Sequence, residues 1–302
     1  LVCSTGFAVL RSKVGKADPS FLFYLINSDF VGKQLQKLVA GSNYPAVTAN
    51  EVSDLLVFAP PFSEQKKIAE ILSGIDKTLE KLNNLIFKLK MFKNSLRINI
   101  FREEKSSERW QTYSLKEISD VIDSLHITPS FSKKGFAMVR VTDIKTGDLS
   151  LSKTKKVSLE VFEKFVKKYR PKTGDIVMSR VGSYGVSSYV TTSEKFCMGQ
   201  NTVVINPRDI NSRYLYECLN SNFIQNQIQL EVAGSGYKSL SLADIRDLKI
   251  PVAPIDEQNK FAAELKSIDN VILIQEKKIT AINTLKNSIM QDLLSGRKRV
   301  NV

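Results

Sequence analysis

The stretch VAGSGYKSLSLADIRDLKIPVAPIDEQ, from Val232 to Gln258, has a second copy in the same chain, VAGSNYPAVTANEVSDLLVFAPPFSEQ from Val39 to Gln65. The copies align without gaps and share ten of twenty-seven positions. Their offset of 193 residues continues upstream and downstream of this stretch. Because chance seldom holds one register over such a length, the sequence predicts two copies of one module.

After each copy comes an apolar pattern with spacings of three and four residues, which is typical of a helix packed lengthwise on another helix. The equivalent seam positions are Ile68, Leu72, Ile75, Leu79, Leu82, Ile86, Leu89, Lys93, Leu96 and Ile100, and Phe261, Leu265, Ile268, Ile272, Gln275, Ile279, Ile282, Lys286, Ile289 and Leu293. Pro61 and Pro254 precede the helices, and Gly296 predicts the end of the second one. Packing about a pseudo-two-fold axis predicts an antiparallel coiled coil, in which Lys93 and Lys286 set the register or extend towards solvent.

The chain between the helices is predicted to be rich in strands, because apolar and polar residues alternate between clusters of Gly, Pro, Asn and Asp. The predicted strands are 137–141, 176–179, 186–191 and 202–206, and one helix is predicted from Arg213 to Glu231. The fold class is therefore α+β, with strand-rich domains, two long helices and a pseudo-two-fold internal repeat.

The repeat divides the chain into four predicted segments. They are an incomplete first domain at residues 1–62, a first spacer helix at 63–106, a complete second domain at 107–254 and a second spacer helix at 255–302. Because Leu1 aligns with Glu194, the first domain is predicted to lack the equivalents of Trp110 through Ser193.

The net charge of +13 suggests a polyanionic partner, and much of the excess lies in one stretch. From Lys153 to Lys172 there are eight basic residues and only two acidic ones, Glu160 and Glu163. Three cysteines without short ligand spacing indicate a reducing compartment, so we expect a cytoplasmic protein. We expect no signal peptide, and we find no apolar run that could span a membrane.

Common catalytic sites do not fit the sequence. His126 is the only histidine, which argues against histidine-based metal sites and a His-paired cysteine nucleophile. The run AGSGYKS from Ala233 to Ser239 lacks the spacing of a phosphate-binding loop, because Tyr237 separates the glycine from the lysine. APPF from Ala59 to Phe62 is similar to a methyltransferase tetrapeptide but lacks its asparagine. We expect no enzymatic activity.

The run PKTGDIVMSRVGSYG from Pro171 to Gly185 resembles the core of target-recognition domains in specificity subunits of Type I restriction-modification systems. The order of the other segments is also similar: a domain start at Trp110, a strand at Val139, and then the repeated stretch followed by a helix. The resemblance covers essentially the whole chain. The first domain departs from the pattern because it lacks the GD and S-R-x-G segment, so only the second domain has the complete recognition segment.

This resemblance implies a non-catalytic subunit that binds double-stranded DNA and guides partner subunits to a split target. It implies methyltransferase subunits that use S-adenosylmethionine and restriction subunits that use ATP and Mg, with no cofactor on this chain. Self-association, or pairing with a second specificity fragment, is a further possible partnership.

Candidate DNA contacts follow from the resemblance and from the chemistry of base edges and phosphates. Candidates for base contacts are Arg140, Arg180, Ser183, Tyr184, Gln200 and Asn201. Candidates for phosphate contacts are Lys133, Lys134, Ser179, Tyr237, Lys238 and Ser239, with Ser42, Asn43 and Tyr44 as the equivalent loop of the first domain. Against these assignments, Gly182, Gly185 and Asp175 are better explained by turn geometry, and Tyr184 can equally be packed in the core.

Two other functions compete with this one. The chain could be an interaction protein that uses the coiled coil as a docking scaffold and binds no DNA. An enzyme, such as a fused methyltransferase and nuclease, ranks third because it would need catalytic motifs that these residues do not contain.

Overall fold

The computed structural model describes residues 7–39, 46–101, 109–234 and 239–301. The chain forms two compact units: unit 1 comprises residues 1–89 and 271–302, and unit 2 comprises residues 90–270. Both long helices contribute residues to both units. Across the described ranges we find no helix with the length and apolar character needed to cross a membrane.

The secondary structure combines short helices, two very long helices and short strands. The helices are α1 (Pro19–Ile26), α2 (Asp29–Val39), α3 (Ala49–Ser53), α4 (Phe62–Ile100), α5 (Leu115–Ile118), α6 (Leu159–Val166), α7 (Ser212–Leu219), α8 (Asn222–Gly234), α9 (Leu242–Asp247) and α10 (Ile255–Leu294). The strands are β1 (Gln111–Ser114), β2 (Ser119–Asp123), β3 (Phe136–Val139), β4 (Gly147–Asp148), β5 (Lys155–Val157), β6 (Ile176–Ser179), β7 (Ser187–Tyr189), β8 (Phe196–Met198), β9 (Thr202–Pro207) and β10 (Lys249–Val252).

The two long helices are α4 and α10, and every predicted seam position on them is buried or half-buried. In unit 1, Ile68 and Leu72 of early α4 share a core with Leu293 and Leu294 of late α10. In unit 2, late α4 packs against early α10, where Leu265 is fully buried. The helices therefore pair antiparallel in each unit, which confirms the predicted coiled coil.

The end of α10 has the expected glycine. Gly296 has a φ of +74°, which is a left-handed conformation that glycine adopts at helix ends. A side chain at this position would also collide with the ring of Phe58, since an added Cβ would lie 2.7 Å from Phe58 Cε2.

Unit 2 contains the strand-rich domain. Its largest sheet has the strand order β2-β9-β6-β7-β4, and smaller sheets have the orders β5-β3-β8 and β1-β10. All four residues of β6 are buried, as the continuous apolar pattern of this strand requires in the middle of a sheet. The α7 and α8 helices pack on the same core as β6 and β9 through Tyr214, Ile224 and Ile228.

The strand-rich region differs from the sequence prediction at one helix and two strands, and one of these strands, predicted at 186–191, is the shorter β7. The single helix predicted from Arg213 to Glu231 is wrong, because Asn220 ends α7 and Ser221 precedes the start of α8. The Asn220 side chain donates a hydrogen bond to the carbonyl of Tyr216, which satisfies the end of α7. The strand predicted at 137–141 ends at Val139, and residues Val141–Asp143 form a 3-10 turn.

The glutamine of each repeated EQ pair has the same structural role in both units. Gln65 donates to the carbonyl of Pro60 (2.8 Å) and accepts from the backbone N–H of Asp18 (2.9 Å). Gln258 donates to the carbonyl of Ala253 (2.7 Å) and accepts from the N–H of Asn211 (2.8 Å). Asp18 and Asn211 are the N-caps of α1 and α7, so each glutamine fixes a long helix to a short one.

The glutamate of each EQ pair binds the segment that follows the other long helix. Glu64, at the start of α4, pairs with Arg299 (2.6 Å) and accepts from the N–H of Val300. Glu257, at the start of α10, accepts from the indole N–H of Trp110 (3.1 Å). Hydrogen bonding to Arg299 lowers the pKa of Glu64, so these glutamates hold chain segments in addition to facing a helix dipole.

A buried ionic cluster joins α7 to both long helices in unit 2. The carboxylate of Glu217 is fully buried and binds Lys93 (3.0 Å) and Arg97 (2.7 Å) of α4. Lys93 also binds Asp269 of α10 (2.7 Å). Burial alone would raise the pKa of Glu217, but the surrounding cations outweigh it and hold this pKa below its ordinary value.

Candidate nucleic-acid interface

Four strand ends of unit 2 meet at one edge of the strand-rich domain. The parallel pair β3 and β8 ends there, since Val139 pairs with Met198. The strands β2 and β6 end beside the start of β9, where Asp123 pairs with Val203 and Ser179 with Thr202. The loops that follow these strands are therefore neighbours, and they contain most of the predicted base contacts.

Backbone hydrogen bonds hold these loops together. The N–H of Gly199 donates to Val139 O (2.8 Å), and the N–H of Arg180 donates to Asn201 O (2.9 Å). Ser239, in the segment after α8, forms an isolated bridge with Val181. Arg140, Arg180, Ser183, Gln200, Asn201 and Ser239 are thus brought to one surface.

Arg180 is held by partners from two other segments. Its Nη1 donates to Asp123 Oδ1 (2.9 Å) and its Nε donates to Leu240 O (3.0 Å), and 16% of the side chain is exposed. Asp123 also binds the Nε2 of the exposed His126 (2.9 Å). A guanidinium in these bonds positions the loops, and it would have to leave them to reach a base.

Asp123 was not identified from the sequence, because it belongs to no recognised motif. The sequence SDVID of Ser119–Asp123 does not alternate between apolar and polar residues, so it did not predict the strand that ends at this carboxylate. Nothing in the sequence placed that strand end beside Arg180, since 57 residues separate the two partners along the chain.

Arg140 has a partner close in sequence. Its Nε and Nη2 donate to the carboxylate of Asp143 at 3.0 and 3.1 Å, and the carboxylate also accepts from the N–H of Arg140. Because 31% of the Arg140 side chain is exposed, it is the more accessible arginine of the two.

The remaining residues of the S-R-x-G loop differ in exposure. Ser183 is exposed, whereas Tyr184 is half-buried and packs against the main core of unit 2. Ser179 is fully buried and its hydroxyl donates to Val181 O (3.0 Å). This burial does not fit a phosphate contact at Ser179, and packing accounts for part of the Tyr184 surface.

Two backbone conformations shape this edge. Asn201 has a φ of 60°, a left-handed conformation that asparagine tolerates better than most residues. Gly185 has a φ of +71° and lies against α8, so a Cβ there would come within 2.5 Å of Ile228 Cδ1. The glycine at 185 is required by both its conformation and this close approach.

The aspartate of the GD pair is structural. The Asp175 carboxylate is fully buried and accepts hydrogen bonds from Tyr169 Oη (3.0 Å), Asn206 Nδ2 (2.9 Å) and the N–H of Lys172 (2.8 Å). Burial raises the pKa of this carboxyl, and the hydrogen bonds partly oppose that shift. Asp175 therefore orders the turn before β6, as the turn interpretation predicted.

The basic residues form a separate surface near the other end of β3. Lys133 and Lys134 are exposed just before β3, whereas Arg140 follows the opposite end of this strand. The four residues of β3 separate its two ends by about 13 Å. Ser132 bridges to Lys156 of the basic stretch, and Lys155 lies over the ring of Phe131 (4.4 Å). The predicted phosphate contacts Lys133 and Lys134 therefore adjoin the basic stretch and lie apart from the loops that contain Arg140, Arg180 and Gln200.

Five of the predicted contacts, Ser42, Asn43, Tyr44, Tyr237 and Lys238, lie outside the described residues. Within the described ranges, no group of three or more His, Cys, Asp and Glu side chains could hold a metal ion.

A family model described as the Type I restriction modification DNA specificity domain matches residues 1–91 and 107–284. The chain is 25% identical to the putative type I restriction enzyme MjaX specificity subunit of Methanocaldococcus jannaschii, over 97% of this chain and 71% of that protein. It is also 23% identical to the type I restriction enzyme EcoBI specificity subunit of Escherichia coli, over 84% of this chain and 62% of that protein.

Solved structures with a similar fold come from the same kind of system. A chain from work on complex assembly and conformational transition of the type I R-M system has a TM-score of 0.66 and 21% identity, over 98% of this chain and 76% of that chain. The S subunit of a Type-I restriction-modification system from M. genitalium has a TM-score of 0.62 and 16% identity, over 92% and 73% of the two chains. These likenesses support the α+β fold with two long helices.

Proposed function

The chain belongs to the family of Type I restriction modification DNA specificity domains, as its motifs predicted, and from this premise we propose that the loop edge of unit 2 reads one part of the DNA target. As a specificity subunit the chain is a non-catalytic DNA-recognition protein. The alternative of a scaffold that binds no DNA is not favoured by this membership. The observation that supports the proposed surface is the meeting of four strand ends at Arg140, Arg180 and Gly199–Asn201.

Within this edge we assign different roles to the candidate residues. Gln200, Asn201, Ser183 and Arg140 would contact base edges, because amide and guanidinium groups pair with adenine and guanine in the major groove. Arg180 would hold the loops in place through Asp123 and Leu240 O. Ser239, which lies beside the S-R-x-G loop, would contact the DNA backbone.

The basic surface is proposed to bind phosphates. Lys133, Lys134 and the exposed lysines of the 153–172 stretch supply charge without sequence information, which suits backbone contacts. Arg170 is paired with Glu163 (2.5 Å), so this arginine contributes less net charge to the surface than an unpaired one would.

The partners follow from the family. We propose that the chain assembles with methyltransferase subunits that bind S-adenosylmethionine and with restriction subunits that use ATP and Mg, that the full target is bipartite, and that a second specificity fragment or a second copy can join the assembly. A cytoplasmic location fits the free, buried thiols of Cys197 and Cys218.

The proposed surface is tested by Gln200→Ala. Co-expression of the chain with its methyltransferase subunit, followed by mapping of methylated sites, supplies the target duplex. We expect Gln200→Ala to weaken binding to that duplex by about 1–3 kcal/mol and to leave binding to a scrambled duplex unchanged, because one base contact is lost.

Gln229→Ala is the matched control, since Gln229 is an exposed glutamine on α8 outside the loop edge. Equal losses on the target and scrambled duplexes, or equal losses for the two variants, would contradict base reading by Gln200.

A further inference from the structure

Unit 2 contains a buried guanidinium site made by Arg213 of α7. The guanidinium binds Asp269 (2.5 Å) and Asp148 (2.8 Å), and its carbon lies 4.9 Å from the ring centre of Tyr216. The Arg213 side chain is 9% exposed. The site thus combines a carboxylate on a long helix with an aromatic ring on a short one, an arrangement that suits a planar cation.

The offset of 193 residues gives this site a counterpart in unit 1. The equivalent residues are Ser20 for Arg213, Phe23 for Tyr216, Tyr24 for Glu217, Asp76 for Asp269, Lys286 for Lys93 and Met290 for Arg97. Unit 1 therefore keeps the carboxylate of the long helix and the aromatic ring of the short helix, but a serine and a methionine replace the two arginines. Asp148 and Tyr189, which also contact Arg213, have no counterpart in unit 1.

An open cavity of about 340 Å³ lies at this position in unit 1. Phe23, Asp76, Lys286 and Met290 are part of its lining, so it includes the counterparts of the unit 2 site. Phe23 is 61% exposed, whereas its counterpart Tyr216 is 1% exposed. The ring against which Arg213 packs in unit 2 is thus accessible in unit 1.

The charges of the cavity favour a cation. Its lining contains one cationic side chain, Lys286, and two carboxylates, Asp76 and Asp29. Asp76 accepts from Lys286 Nζ (2.5 Å) and from Tyr24 Oη (2.8 Å), whereas Asp269 binds two cations at once. Because a carboxylate has about four acceptor positions, Asp76 can bind a second cation.

The neutral polar lining suits a guanidinium in particular. Asn27, Asn283 and Asn287 bring amide groups to the cavity, and amide oxygens accept the hydrogen bonds of N–H groups that do not face a carboxylate. An ammonium group has no plane to place on the Phe23 ring, and an anion would meet a net negative lining.

We infer that this cavity is a binding site for an arginine side chain presented by a polypeptide that packs on unit 1. The guanidinium would lie on the Phe23 ring and bind Asp76, as Arg213 does with Tyr216 and Asp269 in unit 2. This site belongs to unit 1 alone, so it does not depend on the proposed DNA contacts of unit 2.

The first experiment supplies the missing arginine within the chain. Ser20 is exposed in the first turn of α1, at the position that corresponds to Arg213 in α7. We expect Ser20→Arg to raise the Tm of the full chain by about 2–4 °C, because the new guanidinium fills the cavity. The gain should disappear when Asp76→Asn is also present.

Ser53→Arg is the matched control, because it adds the same charge at an exposed serine of α3 away from the cavity. A Tm gain for Ser20→Arg no larger than that for Ser53→Arg would overturn the inference. So would an equal gain with and without Asp76→Asn.

The second experiment uses a probe in solution and does not depend on how a variant folds. The blocked peptides Gly-Arg-Gly and Gly-Lys-Gly are titrated into the full chain while NMR follows the side-chain amides of Asn283 and Asn287. We expect saturable shifts with the arginine peptide, at least threefold weaker binding of the lysine peptide, and no saturable shift in Ser20→Arg, whose own guanidinium occupies the site. Shifts that do not saturate, or that persist unchanged in Ser20→Arg, would overturn the inference.

Discussion

Arg180 connects three segments that are distant in the sequence. Its guanidinium binds Asp123 at the end of β2 and Leu240 O beyond α8, and its own carbonyl accepts from the N–H of Leu240 (2.9 Å). An arginine with these bonds contributes to the stability of the loop edge before any DNA arrives. Its place in a recognition motif therefore reflects positioning as much as contact.

Replacement of this arginine should be costly for the fold. We expect Arg180→Ala to lower the free energy of unfolding by about 1–3 kcal/mol, because Asp123 and Leu240 O lose a charged donor, and to weaken binding to target and random duplexes alike. Urea unfolding measures the first effect. Lys116→Ala is the control, since its pair with Asp247 is more than half exposed on both sides and should contribute little to the free energy of unfolding. Equal losses in the free energy of unfolding for the two variants would contradict the positioning role of Arg180.

At the scale of single residues, the sequence indicated which residues are important better than it predicted the role of each one. The glycine and aspartate of the motif have the turn roles that were expected, as Gly185 and Asp175 show. The hydrogen bonds of Arg180 could not be predicted, because its partners belong to strands and loops that only the tertiary fold brings together. The burial of Ser179 has the same origin, since it ends a strand that is covered on both faces.

Among the elements, α7 is fixed to both long helices by the carboxylate of Glu217. Three cations surround this fully buried group, and its pKa lies below its ordinary value. A carboxyl with a lowered pKa in the folded state stabilises the fold above its unfolded pKa, and this contribution is lost as the pH falls through the folded pKa.

The pH dependence of stability tests this arrangement. We expect Glu217→Gln to lower the free energy of unfolding by about 3 kcal/mol at neutral pH, because Lys93, Arg97 and Arg213 lose their shared anion. As the pH falls below about 4.5, the ordinary pKa of this carboxyl, the difference in the free energy of unfolding between the parent chain and the variant should become smaller. Chemical unfolding at a series of pH values measures this difference. A difference that stays constant down to acid unfolding would show that Glu217 is not the titrating group.

The elements themselves were predictable where their periodicity is long. The seam of α4 and α10 repeats over many turns, so its burial followed from the pattern, and the antiparallel pairing followed from the pseudo-two-fold repeat. The break between α7 and α8 was not predictable, because the apolar pattern continues through it. Hydrogen bonds of Asn220 and Ser221 end the first helix and begin the second. Short strands such as β4 have too few residues to show any period.

The whole molecule carries a net charge of +13, and much of this excess is exposed in the 153–172 stretch of unit 2. If the basic surface binds phosphates, replacement of Lys164, Lys167 and Lys168 by glutamine should reduce the slope of log Kd against log salt by about one for each lost contact. Titrations of a duplex at several salt concentrations measure the slope. An unchanged slope would mean that these lysines face solvent in the complex.

The internal repeat made the architecture predictable from the sequence, because one module appears twice with the same offset throughout, and the Pro171–Gly185 run made the family recognisable. The cavity of unit 1 was not predictable in this way. Its likeness to the Arg213 site, with Met290 at the position of Arg97 and Asp76 at the position of Asp269, becomes visible only when both units are compared.

The contact of Glu64 with the segment after α10 has a consequence for a broken chain. Glu64 binds Arg299 in unit 1 and Lys93 binds Glu217 in unit 2, so each unit is assembled from stretches that lie on both sides of the 102–108 connection. A cut in that connection would separate Ile100 and Phe101 from the rest of the main core of unit 2, and Ile68 and Leu72 from Leu293 and Leu294 in unit 1. We expect the two fragments to complement each other as a pair, since each alone lacks part of both of these cores.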